Sequence, residues 1–239
     1  KKCNNIDPSR LFSSRISSRG LFPKSSFAAT LPLSAFYKSP SGWTMPESDI
    51  VALVLSKAAK CTEHFGDFCN VNQGLRTGNN DKYLSKVDNE APWRKVISGA
   101  DISPYSINEK LNYVYYVRSD LDAPRRESLW NTKEKLFFQE VRNITLERRI
   151  IGAFDCEGLI GLQTTNVVTI KDPHTSWCLQ SLFAVVASDI VNIWFKNSYR
   201  GNNHISGAQL RSIPIPPASD ADKTKLATLA ERCAEAAAK

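Results

Sequence analysis

Between residues 65 and 170 the chain is a succession of short apolar runs rich in β-formers, separated by Gly and Asn punctuation as far as about Val117, and none sustains a helical period. Residues 68–71, 83–84, 95–97, 113–117, 136–141, 150–154 and 167–170 read as strands. Behind them Leu179, Leu182, Phe183, Val186, Ile190, Ile193 and Trp194 fall on one helical face between Cys178 and Tyr199. That spacing predicts a single helix of about five turns, with Trp194 and Phe195 in the core. The middle of the chain is thus mostly sheet, and strands followed by helices is the order of an α+β fold.

The ends of the chain read differently. Residues 1–47 are rich in Ser, Pro and basic residues without a sustained period, the composition of a linker that wraps an adjoining surface. Pro46-Glu47-Ser48 is a start signal, and Ile50, Val54, Ala58 and Cys61 behind it predict a helix ending near Thr62. Pro214, Pro216 and Pro217 stop regular structure, after which Ser219-Asp220 can cap an Ala-rich helix. Its stripe of Leu226, Leu229, Ala230, Cys233 and Ala237 is thin, so the helix needs a partner surface. The expected division is a linker over 1–47, one folded domain over 48–217 and a terminal helix over 218–239.

Composition narrows the function. The 239 residues carry a formal charge of +7, which makes polyanions the first partners to consider. No run approaches the roughly 18 apolar residues of a membrane span, so no membrane is expected. The six cysteines form no C-x-x-C pair and no dense framework, which suits a reducing cytoplasm. The chain opens on Lys1 with no apolar leader, so it is expected to be part of a longer polypeptide.

Catalytic templates fail in turn. The loop from Gly74 to Gly78 lacks the Lys-Ser/Thr of a phosphate-binding loop, and no G-x-G-x-x-G is present. His64, His174 and His204 have no H-E-x-x-H or G-x-S-x-G near them. Cys61, His64 and Cys69 lack a fourth ligand, so no metal is expected. The carboxylates of Asp120 and Asp122, or Asp220 and Asp222, sit where turns and helix starts use them. No catalytic residue is assigned.

The informative segment is Asn72-Gln-Gly-Leu-Arg-Thr-Gly-Asn-Asn-Asp-Lys-Tyr83. Two glycines and paired Asn predict an exposed turn after a strand, with backbone N–H groups pointing outward and Arg76, Thr77 and Lys82 adding donors for phosphate. A plain hairpin connection has the same signature. Further along come Gly99-Ala-Asp101-Ile102 with Tyr105, then Lys135-Leu-Phe-Phe-Gln139, the Leu179, Ser188, Trp194 and Phe195 series, and Ile213-Pro-Ile-Pro216.

In this order the segments resemble the TaqI-like C-terminal specificity domain, the target recognition domain of adenine-specific DNA methyltransferases and type IIG restriction–modification enzymes. The likeness runs over about residues 48–239. It departs at Ala100, where the family often has Lys or Arg, and at Glu140, where it often has Arg. The resemblance implies an α+β fold with a mixed, largely antiparallel β-sheet, packing helices and a C-terminal spacer-type helix, and a module for double-stranded DNA, bacterial and cytoplasmic, serving phage defence. It also implies a methyltransferase domain elsewhere in the parent chain, where S-adenosylmethionine would bind; no cofactor is expected in this segment. Candidate phosphate contacts are Arg76, Thr77, Lys82, Arg94, Lys95, Arg125 and Arg126. Candidate base readers are Gln139, Arg142, Asn143, Arg148 and Arg149, with Asn202, Asn203 and His204 in a second loop. Each of the basic residues could equally be a solvated surface charge. Two other readings stay open: a recognition domain of a type I specificity subunit, or a non-catalytic protein-interaction scaffold.

Overall fold

The computed structural model describes residues 10–14, 28–32, 48–108, 112–201 and 203–238. Inside the stretch with linker composition, β1 (Arg10–Ser14) and β2 (Ala28–Pro32) pair antiparallel. Ser48 Oγ accepts from the Val51 backbone N–H at 3.3 Å and starts α1 (Asp49–Ala58). The helix stops short of Thr62 because Lys60 and Cys61 already bond three residues back rather than four.

The middle of the chain runs through β3 (Glu63–His64), α2 (Phe65–Phe68), β4 (Cys69–Gln73), α3 (Asn80–Tyr83), β5 (Leu84–Ser85), β6 (Trp93–Ile97), β7 (Ile102–Ser103) and β8 (Ser106–Ile107). It continues through β9 (Asn112–Tyr115), α4 (Glu127–Asn131), β10 (Lys135–Gln139), β11 (Gly152–Asp155), β12 (Ile160–Gly161) and β13 (Thr165–Ile170). The order β11-β10-β13-β4 makes one sheet, antiparallel throughout. The order β12-β6-β9-β5 makes a second, in which β12 and β6 run parallel. The architecture is α+β, as the order of runs predicts, and its sheets are mostly antiparallel, as the resemblance implies.

Strand β10 explains why the first sheet is buried on both sides. Its alternate residues Leu136 and Phe138 enter the cluster shared with the helices, whereas Phe137 enters the cluster shared with the second sheet. The same alternation separates Val168 from Val167 on β13. A strand covered on both faces reads as a continuous apolar run, which is what Leu-Phe-Phe is. Two glycines allow this packing: a Cβ on Gly152 would stand 2.6 Å from the Phe138 ring, and one on Gly161 would stand 2.7 Å from the Phe137 ring. At the start of β10, Lys135 Nζ lies 3.3 Å from Asp155 Oδ2, both side chains being essentially inaccessible. The ammonium also donates to the carbonyls of Thr132 at 2.6 Å and Trp130 at 3.3 Å.

The single helix expected between Cys178 and Tyr199 is two helices, α5 (Leu179–Val186) and α6 (Asp189–Ser198). Ser188 interrupts them, its Oγ accepting from the Val191 N–H at 3.2 Å. Ser188-Asp189 is itself a start signal. Periodicity hid the break because Leu182, Val186, Val191 and Phe195 all reach the same core. Trp194 and Phe195 are buried core residues. The chain closes with α7 (Gly207–Arg211), β14 (Pro214–Ile215) and α8 (Asp220–Ala237). Helix α8 packs along α5 and buries Ala230 there, while Leu229 and Cys233 of its stripe stay exposed.

Candidate nucleic-acid interface

The last residues of β4 and β10 and the first of β13 meet at one end of the first sheet, where Gln139 pairs with Thr165 and Asn166 with Gln73. Here the chain leaving β4 crosses to the second sheet. Leu75 bridges to Leu162, and the N–H groups of Gly74, Leu75 and Arg76 donate to Thr165, Gly161 and Ala123 carbonyls. The expectation of outward-pointing backbone donors in this bend is therefore corrected: they hold the sheets together. Gly74 is required by close approach, since a Cβ would stand 2.1 Å from the Leu162 carbonyl oxygen, and Gly78 by its φ of +80°. Asn79 then caps α3, its Oδ1 accepting from the Lys82 N–H at 3.1 Å, so the segment leads into a helical turn and not a hairpin.

The side chains at this sheet end form one polar ridge. Gln73 Nε2 donates to both Glu140 carboxylate oxygens at 2.9 Å and to the Gln163 carbonyl at 3.3 Å. Arg125 donates from Nε to the Gly74 carbonyl at 3.0 Å and from Nη2 to Gln73 Oε1 at 3.2 Å. Arg76, exposed, donates to Gln163 Oε1 at 3.1 Å and lies 3.7 Å from Asp122.

Beyond Glu140 the two loops expected to read bases come together. Val141 bridges antiparallel to His204, and the Arg142 N–H donates to the Asn203 carbonyl at 2.8 Å. The Ile144 N–H donates to Asn203 Oδ1 at 3.0 Å, and the Ile205 N–H to the Glu140 carbonyl at 2.6 Å. Asn166, buried on β13, anchors the second loop by donating to the Ile205 carbonyl at 2.7 Å. Asn143 accepts from the Thr145 N–H at 2.9 Å, an Asx turn that shapes the loop tip. Val141, Ile144 and Leu146 project from it at 50%, 38% and 40% exposure.

The loop is clamped to the helices behind it. Arg142 Nε donates to the Arg148 carbonyl at 2.6 Å and its Nη1 to Gln139 Oε1 at 3.2 Å; Gln139 Nε2 donates to the Ile102 carbonyl at 2.8 Å. Burial, and then the charge of Arg148, pushes the Arg142 guanidinium below its ordinary pKa. Arg148 donates to the Ala187 carbonyl at 2.6 Å and pairs with Asp189 at the start of α6. Asn192 on α6 accepts from the Arg149 N–H at 2.7 Å and donates to the Glu147 carbonyl at 2.9 Å.

Several expected contacts need correction. Arg149 is 1% exposed with its guanidinium 5.9 Å from the Phe195 ring centre, so it belongs to the core and cannot reach a base. Thr77 is 5% exposed and its hydroxyl is 2.6 Å from Asn80 Oδ1, which removes it as a phosphate donor. Lys95 pairs with Glu157 at 3.7 Å. Glu157 lies two residues beyond Asp155, which pairs with Lys135 at the end of β10 opposite Gln139. Arg94 is held by Glu127 at 2.9 Å and lies 5.0 Å over the Tyr116 ring. Lys82 is exposed 4.7 Å over the Tyr83 ring, and Arg126 is exposed. Asn202 lies outside the described residues. The ridge also contains two glutamines, Gln73 and Gln163, that sequence reasoning left unassigned; neither carries a local signal, since only the meeting of β4 with the turn before β13 makes them neighbours. Among the described residues no group of three or more His, Cys, Asp or Glu could hold a metal, and no helix is long and apolar enough to cross a membrane.

Comparison with known proteins agrees with this architecture. A solved structure of the type IIL restriction–modification enzyme MmeI in complex with DNA superposes with a TM-score of 0.50 at 10% identity, a likeness of fold. The superposition covers 72% of this chain and 28% of that one. No curated protein matches the chain. The family model described as the TaqI-like C-terminal specificity domain matches residues 94–215. That span covers just over half of the sequence and includes β6 through β14, and the chain belongs to this family.

Proposed function

We propose that this chain is the sequence-reading module of a bacterial restriction–modification protein. It engages double-stranded DNA and delivers the target to an adenine-specific, S-adenosylmethionine-dependent methyltransferase domain on the same parent polypeptide, to which residues 1–47 connect. It acts in the cytoplasm, in defence against phage. The observation that carries this reading is the union of the 139–146 and 203–205 loops at one sheet end, beside Arg76 and Arg125. Arg can hold guanine O6 and N7, and Asn or Gln adenine N6 and N7, each bidentate pair contributing about 1–3 kcal/mol of discrimination. The aliphatic tips of Val141, Ile144 and Leu146 suit thymine methyl groups on the same base edges. Family membership and the DNA-bound MmeI fold support the same assignment.

The test is methylome sequencing of cells expressing the full parent gene. N6-methyladenine within one recurring sequence is expected, and substituting Arg142 and Asn203 together should abolish or alter that sequence. Methylation at no defined sequence, or at a sequence indifferent to those substitutions, refutes the proposal.

A further inference from the structure

An open cleft lies beside the ridge, between the outer face of β4 and β13 and the segment that leads into α4. Asn70, Asn72 and Thr169 line one wall, and Arg118, Arg125 and Arg126 the other. No carboxylate lines it. Four other cations of the domain do face carboxylates: Arg76 faces Asp122, Arg94 faces Glu127, Lys95 faces Glu157 and Arg148 faces Asp189. Among the described residues, no carboxylate oxygen comes within 4 Å of the three cleft arginines.

The cleft wall is also built in advance. Arg125 holds a left-handed backbone at φ +62° while its guanidinium is fixed by Gly74 and Gln73, and Arg118 Nη1 donates to the Arg125 carbonyl and lies 3.4 Å from Tyr116 Oη. Through Gln73, Arg125 joins the cleft to Glu140 on the ridge. Planar guanidinium groups opposite neutral amide and hydroxyl groups match the fork geometry of a phosphodiester, and no internal anion competes for them.

We propose that this cleft seats the phosphodiester backbone of the DNA flanking the target, with Arg118 and Arg126 as contacts that add affinity without reading sequence. The inference rests on the DNA-recognition reading above and extends its footprint. The test compares the wild-type chain with R118Q/R126Q in binding a fluorescent 30-base-pair duplex at a series of salt concentrations. K225Q/R232Q on α8 is the control that removes the same charge from the helical layer. Each lost phosphate contact lowers the log–log salt slope by about 0.9. The R118Q/R126Q slope should therefore be shallower by about 1.8, and the wild type's advantage should shrink about 12-fold between roughly 50 and 200 mM salt. The control should leave the slope within 0.5 of wild type, and the preferred sequence from a randomised library should be common to all three. Circular dichroism checks folding, and R126Q alone, at an exposed residue, should give half the effect if the double variant unfolds. An unchanged slope, or a loss shared equally by the control, overturns the cleft assignment while leaving DNA recognition intact; the first result would favour an acidic protein face as occupant. A changed sequence preference overturns it by making these residues base readers. Failure of the wild type to bind any duplex overturns both.

Discussion

Replacing Lys135 by Met tests how the central strand is fixed. The substitution keeps the aliphatic stem but removes the ammonium 3.3 Å from Asp155, leaving that carboxylate almost wholly inaccessible. Two backbone N–H groups, of Glu157 at 2.9 Å and Leu159 at 3.0 Å, still hold it, but the carbonyls of Trp130 and Thr132 lose a donor. At an effective dielectric of about 20 the lost Coulomb attraction is about 5 kcal/mol, and removing one partner of a buried pair costs about 3–5 kcal/mol. For a domain of this size that corresponds to a fall in Tm of about 6–20 °C. Asp155→Asn should cost a similar amount, because it strands the cation. The double variant K135M/D155N leaves no lone buried charge, so it should be more stable than the sum of the singles by about 2–3 kcal/mol. Urea unfolding followed by tryptophan fluorescence measures all four proteins. A loss below 1 kcal/mol for Lys135→Met, or additive singles, would refute the reasoning and mean that the pair is hydrated.

Other outcomes follow from separate parts of the structure. Gly74→Ala should prevent the crossing between the sheets, because its Cβ would meet the Leu162 carbonyl oxygen at 2.1 Å; a loss of more than 3 kcal/mol is expected in urea unfolding, with Gly201→Ala, which faces open space, as the neutral comparison. Burial pushes the Cys69 thiol up to about 12. The unfolded thiol ionises near pH 8.5, so this contribution is whole below that pH and declines as pH rises toward 12. Wild type should therefore lose stability faster than Cys69→Ala between about pH 9 and 11, by about 1.4 kcal/mol per pH unit, in parallel urea titrations. If Ile144 and Leu146 meet thymine methyl groups, replacing thymine by uracil in the bound duplex should weaken the wild type severalfold and leave I144A/L146A unaffected; equal sensitivity in both proteins would argue against that contact.

Local patterns carried the strands, the cap at Ser48 and the burial of Trp194, because each depends on residues close in sequence. Phe137 and Phe138 read as part of an apolar strand, although only the structure reveals that they face opposite layers. The Ser188 break was legible as a start signal but lay beneath an unbroken apolar stripe. The stretch after Gln139 and the 203–204 loop, picked out separately along the sequence, are neighbours in the fold. Which arginine faces solvent was not legible, since Arg148 and Arg149 are neighbours of identical chemistry and only the fit against Phe195 sends Arg149 inward. The Gly74 bend misled for a related reason. Close approach and exposed turning both demand glycine, and sequence alone does not separate them.

The central claim is that the joined loops at the end of the first sheet read base sequence. Selection of bound duplexes from a randomised library measures it most directly, with wild type compared against R142A/N143A. Wild type should enrich one consensus, and the variant should lose or change positions within it while keeping salt-dependent binding to bulk DNA. Enrichment of no consensus by the wild type, or of the same consensus by both proteins, would contradict the account.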